Sequence, residues 1–303
     1  MKMDPTETPN VTSIIVVAAD SGPLLSTCID AALASTAPVE VVLVDNASGD
    51  GEVERVAAAH AGDARLRILH NEANIGFGPA CNRGAAHARG DALLFLNPDC
   101  ELRPDTVAGL RAAMASTPDV GLFGVTVCDS DGVPARANRR RDPTLRRAVG
   151  PAGGLARFEA RCPALAGVER PPSPAQAGIE RVDAVSGACM ALPRSAFDRI
   201  GGFDEGYFLH VEDLDLCRRL RDAGLAVAIV TDLRVRHVQG SSSHHRALFV
   251  SRHKHRGMWR YFNRFDPAAR NPLLRATVWT GIWSHHLVDA LRFASRSLAR
   301  KLR

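Results

Sequence analysis

Three carboxylates fall within four residues in Glu212-Asp213-Leu214-Asp215, behind a glycine turn and an aromatic run, Gly201-Gly202-Phe203-Asp204-Glu205-Gly206-Tyr207-Phe208. A carboxylate can take a proton as a general base, hold a hard cation or pair with arginine. Leu214, Cys217 and Leu220 recur at helical spacing, which predicts a helix from Glu212 to Ala223 with Gly224 as its stop. Acids suit a first helical turn, where free N–H groups and the macrodipole favour negative charge. On that helix Asp215 meets Arg219 one turn on, so an ordinary ion pair accounts for Asp215. Glu212 and Asp213 remain as candidates for chemistry, because the aromatic, glycine-flanked approach predicts a packed cleft.

Four further places could work with them. Asp45 opens the loop Asp45-Asn46-Ala47-Ser48-Gly49-Asp50-Gly51. A strand-end acid can accept bonds from a base imide or a ribose hydroxyl, yet the same residue types dominate plain turns, and both readings stand. Asn74-Ile75-Gly76-Phe77-Gly78 is a glycine-rich turn opening a helix that carries Arg83, a natural nucleotide or phosphate element. The three-glycine dinucleotide fingerprint and the Gly-Lys-Ser/Thr of a phosphate loop are both missing. Asn97-Pro98-Asp99 puts a carboxylate on a proline-stiffened turn, suited to a divalent cation on a diphosphate or to ending a strand. His237, ahead of Gln239-Gly240-Ser241, completes a metal site, holds a phosphate or is a structural histidine. His244, His245, His253, His255, His285 and His286 lack metal-ligand spacing along the chain and stay unassigned.

The elements around these residues alternate. Ile14–Ala19, Val39–Val44, Leu66–Leu69, Ala92–Leu96 and Val120–Val127 read as buried strands. Pro23–Ser35, Glu52–Ala61, Gly78–Arg89 and Pro104–Ser116 read as the helices between them. The alternation predicts an α/β fold, a mostly parallel sheet covered on both faces, with ligands at the carboxyl ends of the strands. Asp45 and Asp99 stand at such ends.

From Asp129 to Glu180 the pattern gives way to a Pro-, Gly- and Arg-rich excursion with mobile parts, including Arg139-Arg140-Arg141 and Pro171-Pro172-Ser173-Pro174, and a short helix near Leu155–Arg161. Order resumes at Val182–Leu192, followed by a short helix near Arg194–Ile200, and then by strand segments Leu225–Val230 and Arg234–Val238. The expected division is a catalytic domain over 1–240, containing the excursion 129–180, and a basic helical extension over 241–303 broken at Asn271-Pro272.

Net charge is +5, drawn almost wholly from arginine, since Lys2, Lys254 and Lys301 are the only lysines. The basic residues thicken toward the C-terminus, which suits anionic partners; nucleic acid is not expected among them. Seven cysteines without C-x-x-C spacing speak against a zinc ribbon or a disulfide framework and fit a reducing cytoplasm. Met1–Asn10 is polar and no run is long enough to span a bilayer, so contact with the inner face of a plasma membrane would be peripheral. Trp279, Trp283, Leu287, Leu291 and Ala294 fall near one helical face, with Arg275, Arg292, Arg296, Arg300 and Lys301 supplying charge. This predicts either an amphipathic helix on an anionic membrane or a helix packed on the catalytic domain.

Taken in order from Ser13 to about His237, the first strand, Val44-Asp45-Asn46-Ala47-Ser48, Asn74-Ile75-Gly76-Phe77, Leu96-Asn97-Pro98-Asp99 and Gly201-Gly202-Phe203-Asp204-Glu205 leading to Glu212-Asp213 together resemble a family-2 glycosyltransferase with the GT-A fold. The Asn-Pro-Asp form and the string from Phe208 to Arg219 resemble the rhamnosyltransferase branch, which builds bacterial surface polysaccharides. The resemblance implies that Asp45, Asn74, Gly76 and Arg83 receive a nucleotide-sugar donor (dTDP- or UDP-sugar). It implies that Asp99 binds Mg²⁺ or Mn²⁺ with His237 as a further ligand, that Asp213 is the general base and that Glu212 supports it. The implied reaction is displacement with inversion, onto a saccharide or polyprenyl-linked acceptor. Two departures stand out: Ala18-Ala19-Asp20-Ser21 replaces a Tyr-Asn pair after the first strand, and Asn97 replaces a first aspartate. A sugar nucleotidyltransferase would want a glycine-rich, basic loop where Asp20-Ser21-Gly22-Pro23 stands; a non-catalytic sugar- or lipid-binding module would not need Asp99, Asp213 and His237 together.

Overall fold

A computed structural model describes residues 10–147, 167–169, 178–238 and 247–301. The predicted helix at 155–161, the proline run 171–174, His244 and His245 lie outside the described residues. The first half follows the predicted alternation. β1 (Thr12–Ala18), β2 (Val39–Asp45), β3 (Leu66–His70) and β4 (Ala92–Leu96) alternate with α1 (Leu24–Leu33), α2 (Glu52–Ala59) and α3 (Phe77–His87). After the short β5 (Cys100–Glu101) come α4 (Thr106–Ser116) and β6 (Val120–Cys128). β1, β2, β4 and β6 are buried throughout their length and mostly apolar, because both faces of the sheet are covered.

Side-chain alternation sorts each strand between two cores. Ile14, Val16 and Ala18 of β1 pack with Leu25, Cys28, Ile29, Ala32 and Leu33 of α1, and with α2 and α4. Ile15 and Val17 turn to the other face, with Ala80, Cys81 and Ala85 of α3. The α1 spacing i, i+3, i+4, i+7 is the apolar stripe of a helix lying on a sheet.

The second half departs from the sequence reading in two places. The ordered stretch expected over Val182–Leu192 resolves into three strands: β8 (Ile179–Val182), β9 (Ala184–Val185) and β10 (Cys189–Pro193). A turn at Gly187-Ala188 separates the last two, and β10, running in the same direction as β8, lies antiparallel in the middle of the sheet between β4 and β6. The two segments after Leu225 are instead one strand, β11 (Ala226–His237), with a register shift between Val230 and Arg234 where the sequence breaks. The order is β3-β2-β1-β4-β10-β6-β11-β5, with β8 on β11. Part of the excursion is ordered: β7 (Arg139–Arg140) pairs antiparallel with β9.

β2 and β4 leave β1 on opposite sides, so the crevice of a doubly wound sheet opens at the carboxyl ends of β1, β2 and β4. α5 (Arg194–Arg199) and α6 (Glu212–Asp222) complete the second face. α7 (Ala247–Phe265) and α8 (Pro272–Lys301) form the C-terminal helical extension, separated by a short 3₁₀ turn at Pro267–Arg270. Proline at 272 cannot continue a preceding helix, which explains the break. Among the described residues no helix is long and apolar enough to cross a membrane.

Candidate active site

Two cavities meet over the carboxyl ends of these strands. One, of about 500 Å³, is bordered by Ala19 and Ser21 after β1, Asn46 after β2, Asn74 and Gly76 before α3, and Asp99 after β4. The other, of about 1000 Å³, is bordered by Arg140, Gly187, Glu212 and Asp213, with Lys254, Met258 and Tyr261 of α7 on its far wall. Asn97, His210 and His237 border both, so they mark the junction.

The smaller cavity is shaped by amides. Asn46 donates to Asn74 Oδ1 (2.9 Å) and the Gly76 carbonyl (3.2 Å), while its own Oδ1 accepts from Asn71 (2.8 Å) and Ile75 N (3.1 Å). Gly76 sits at φ 96°, and a Cβ there would stand 2.7 Å from the Phe208 carbonyl oxygen, to which Phe77 N donates at 2.8 Å. Only glycine permits this approach, and it locks the nucleotide-type loop to the aromatic run. Asp45 is buried: Oδ1 accepts from Ser48 N (2.9 Å) and Oδ2 lies 3.1 Å from Nδ1 of the exposed His70. Asp45 and Arg83 lie outside the cavity lining; Arg83 is exposed and its guanidinium donates to Asn71 Oδ1. Sequence reasoning missed Asn46, whose type reads as turn chemistry until its four partners are seen.

At the cavity junction, β5 pairs antiparallel with the end of β11, so His237 stands opposite Cys100 and its Nε2 comes 2.9 Å from Asp99 Oδ1. Cys100 Sγ lies within the same cluster, but it donates to the Ala188 carbonyl (3.5 Å) and burial holds the thiol well above its ordinary range. A buried neutral thiol does not suit a hard cation. The residues that fit a divalent ion here are therefore Asp99 and His237, an oxygen and an imidazole, with the remaining positions left to diphosphate and water. The Nδ1 of His237 is buried without a partner.

α6 begins on a strained turn. His210 and Val211 both have positive φ, 66° and 75°, which a β-branched residue adopts only when the surroundings impose it. α7 packs close against this turn: a Cβ on Gly257 would lie 2.9 Å from the His210 carbonyl oxygen, so glycine is what lets the helix backbone come so near. Asp213 Oδ2 accepts from Gly187 N (3.1 Å) and from the Arg140 guanidinium, which also donates to the Val185 carbonyl. Gly187 allows that approach, since its Cβ would stand 3.0 Å from the carboxylate. Arg140 is the second residue missed. In sequence it is one of three arginines in an irregular stretch, and only the β7–β9 pairing carries it inward.

Glu212 is 7% exposed, and its Oε2 has no partner. Burial, then the charge of Asp213, push its carboxyl up to about 8. The two adjacent acids are thus differentiated: one is ion-paired, the other is held protonated at neutral pH. Asp215 is fully buried and paired with Arg219, the i,i+4 partner expected, and with Arg264 of α7 (3.1 Å). It anchors α6 to the extension rather than facing the cleft.

The sequence profile of the family described as glycosyltransferase like family 2 matches residues 9–259. The chain belongs to that family. This glycosyltransferase is similar to an N-acetylglucosaminyl-diphospho-decaprenol L-rhamnosyltransferase of Mycobacterium tuberculosis, 31% identical over 282 residues, covering 83% of this chain and 87% of the relative. Its fold is similar to that of a Pyrobaculum calidifontis mannosyltransferase solved with GDP-Man and Mn²⁺ (TM-score 0.58, 21% identity, 96% of this chain and 77% of that one). It is also similar to GalNAc-T7 solved with UDP, GalNAc and Mn²⁺ (TM-score 0.59, 18% identity, 75% of this chain and 44% of that one).

Proposed function

We propose that this glycosyltransferase moves a sugar, rhamnose by similarity to its mycobacterial relative, from a dTDP- or UDP-sugar to a saccharide or lipid-linked acceptor of a cell-surface glycan, with inversion at the anomeric carbon. The observation that carries the reading is the meeting of an amide-lined cavity ending at Asp99 with a cavity ending at Asp213, across Asn97, His210 and His237. In this reading Asn46, Asn74 and Gly76 shape the nucleotide side. Asp45 takes the base or ribose by exchanging its exposed partner His70 for the ligand, and Arg83 acts from the rim by holding Asn71. The Ala18-Ala19 edge offers no ring to stack a base.

Asp99 and His237 would hold Mg²⁺ or Mn²⁺, which when bound supplies positive charge to the departing diphosphate. Asp213, held by Gly187 N and Arg140, accepts the acceptor hydroxyl proton. Glu212, carrying its own proton, donates a hydrogen bond to orient the acceptor. The catalytic domain, 1–240, then supplies the donor-site and catalytic residues, while the extension, 241–303, walls the acceptor side and through Phe249 and Val250 also borders the smaller cavity.

α8 supports a peripheral membrane role for a lipid-linked acceptor. Trp279, Leu287 and Leu291 are exposed along it, whereas Trp283 packs inward edge-on to His286. Arg296, Arg300 and Lys301 lie beyond the described side chains.

Incubation with nucleotide-sugar, Mn²⁺ and a polyprenyl-diphosphate saccharide, scoring nucleoside diphosphate release and sugar transfer, tests the proposal. Asp213→Asn should lower kcat by about 10²–10⁴-fold while donor affinity stays nearly intact. Equal loss of both would remove Asp213 as the base.

A further inference from the structure

α7 and α8 face each other across a group of imidazoles that the transfer chemistry does not use. His255 on α7 is buried, with Nδ1 2.7 Å from the Ser251 carbonyl one turn earlier. A carbonyl only accepts, so Nδ1 carries the proton and Nε2 keeps its lone pair. That lone pair is directed at Nδ1 of His285 on α8, 2.9 Å away. Asp289, one turn beyond His285, brings Oδ2 to 3.6 Å from the same Nδ1. The three ligand atoms lie within 4.8 Å of one another. We propose that His255, His285 and Asp289 form a transition-metal site, with Zn²⁺ the fitting ion, that ties α8 to α7.

The distances suit it. Metal–nitrogen bonds of about 2.0–2.1 Å in a tetrahedron place neighbouring ligand atoms roughly 3.3 Å apart, and the two measured separations, 2.9 and 3.6 Å, fall on either side. The outer contacts suit it too. A backbone carbonyl orients His255 through its other nitrogen, the usual arrangement behind a ligating imidazole. The Ser251 hydroxyl stands 3.5 Å from Asp289 Oδ2 and 3.0 Å from His286 Nδ1, so His286 engages the serine rather than the ligand cluster. His285 is mostly exposed and gives an ion a way in. Two imidazoles and one carboxylate favour zinc-like ions over Mg²⁺, which separates this cluster from the harder Asp99 site. No spacing along the chain reveals the cluster, because its ligands come from two helices.

The consequence reaches the cleft. Val278 and Ile282 of α8 border the larger cavity beside Glu212 and Asp213, within two turns of His285. A cation at the cluster would hold that wall in place.

The test uses tag-free, full-length protein stripped with a chelator, then dialysed against Zn²⁺ and analysed for bound metal, with Co²⁺ absorption as a probe of coordination geometry. The wild type and an Asp99→Ala/His237→Ala variant should each retain about one zinc with a tetrahedral cobalt spectrum. His285→Ala, at an exposed side chain that folding tolerates, should lose both. Zinc should raise Tm in the wild type and leave that of His285→Ala unmoved. Equal zinc content in wild type and His285→Ala, loss of zinc with Asp99→Ala/His237→Ala alone, or no zinc retained by the wild type would each overturn the site and leave a plain His285–His255 hydrogen bond.

Discussion

Replacing Glu212 with glutamine isolates the electrostatics of the cleft, because glutamine keeps the shape of the protonated acid and removes its titration. Burial, then the Asp213 charge, push the Glu212 carboxyl from 4.5 to about 8. Below pH 4.5 folded and unfolded chains both hold this proton, and its contribution is fully present. Between those values the folded state binds more protons than the unfolded one. Stability therefore falls as pH rises, by about 1.4 kcal/mol per pH unit and on the order of 5 kcal/mol in all. In a chain of this size 1 kcal/mol moves Tm by about 2 °C, so the wild type should lose roughly 10 °C relative to Glu212→Gln between about pH 5 and 9. Thermal unfolding of both proteins across that range reads the difference, since titrating groups that do not interact with Glu212 cancel and Asp213, whose charge acts on it, enters with it. Transfer gives a second readout: Glu212→Gln should keep activity within about tenfold at neutral pH and lack the decline above about pH 8 shown by the wild type. Parallel stability profiles would refute the reasoning, because they would mean that Glu212 is already ionised in the fold.

Asp99→Ala should abolish metal-dependent donor binding, and unchanged Mn²⁺-dependent affinity in titration calorimetry would remove Asp99 as a ligand. Arg140→Ala leaves Asp213 buried without its counter-ion and should lower unfolding free energy by about 3–5 kcal/mol, part of which Asp213→Asn in the same background recovers; simple additivity of the two losses would mean the pair is not coupled. Serine at Trp279, Leu287 and Leu291 should weaken flotation with anionic liposomes, and identical flotation to the wild type would end the membrane reading of α8.

The fold was readable where the physics is local. β1, β2, β4 and β6 are mostly apolar because both faces are buried, and the helices between them carry stripes that a periodicity count finds. The pairing of Asp215 with Arg219 followed from helical spacing alone. The tight turns were also legible in kind: Gly76 and the Asn97-Pro98-Asp99 corner stand where glycine and proline announce them. What could not be read was any partner chosen by distance in space. β10 looks like an ordinary buried strand whichever way it runs, and its antiparallel place beside β4 and β6 is settled only by the neighbours it meets in the sheet. Arg140 was one basic residue among three until β7 paired with β9.

The sequence by itself determined the chemistry on offer: carboxylates at strand ends, a glycine-rich turn before a helix, an acid pair at a helix start, and through these the family. Only the tertiary structure decided how those groups are used. Pairing of β5 with β11 brings His237 to Asp99 from 138 positions away, and the missing side chain of Gly257 lets α7 close over the His210–Val211 turn that starts α6. Burial and proximity then separate two adjacent acids, leaving Asp213 with Arg140 and Glu212 with its proton. The physical reason is common to all three: residue type sets what a side chain can do, while solvent exclusion and the charge a few ångströms away set what it does, and neither is a property of neighbours in sequence.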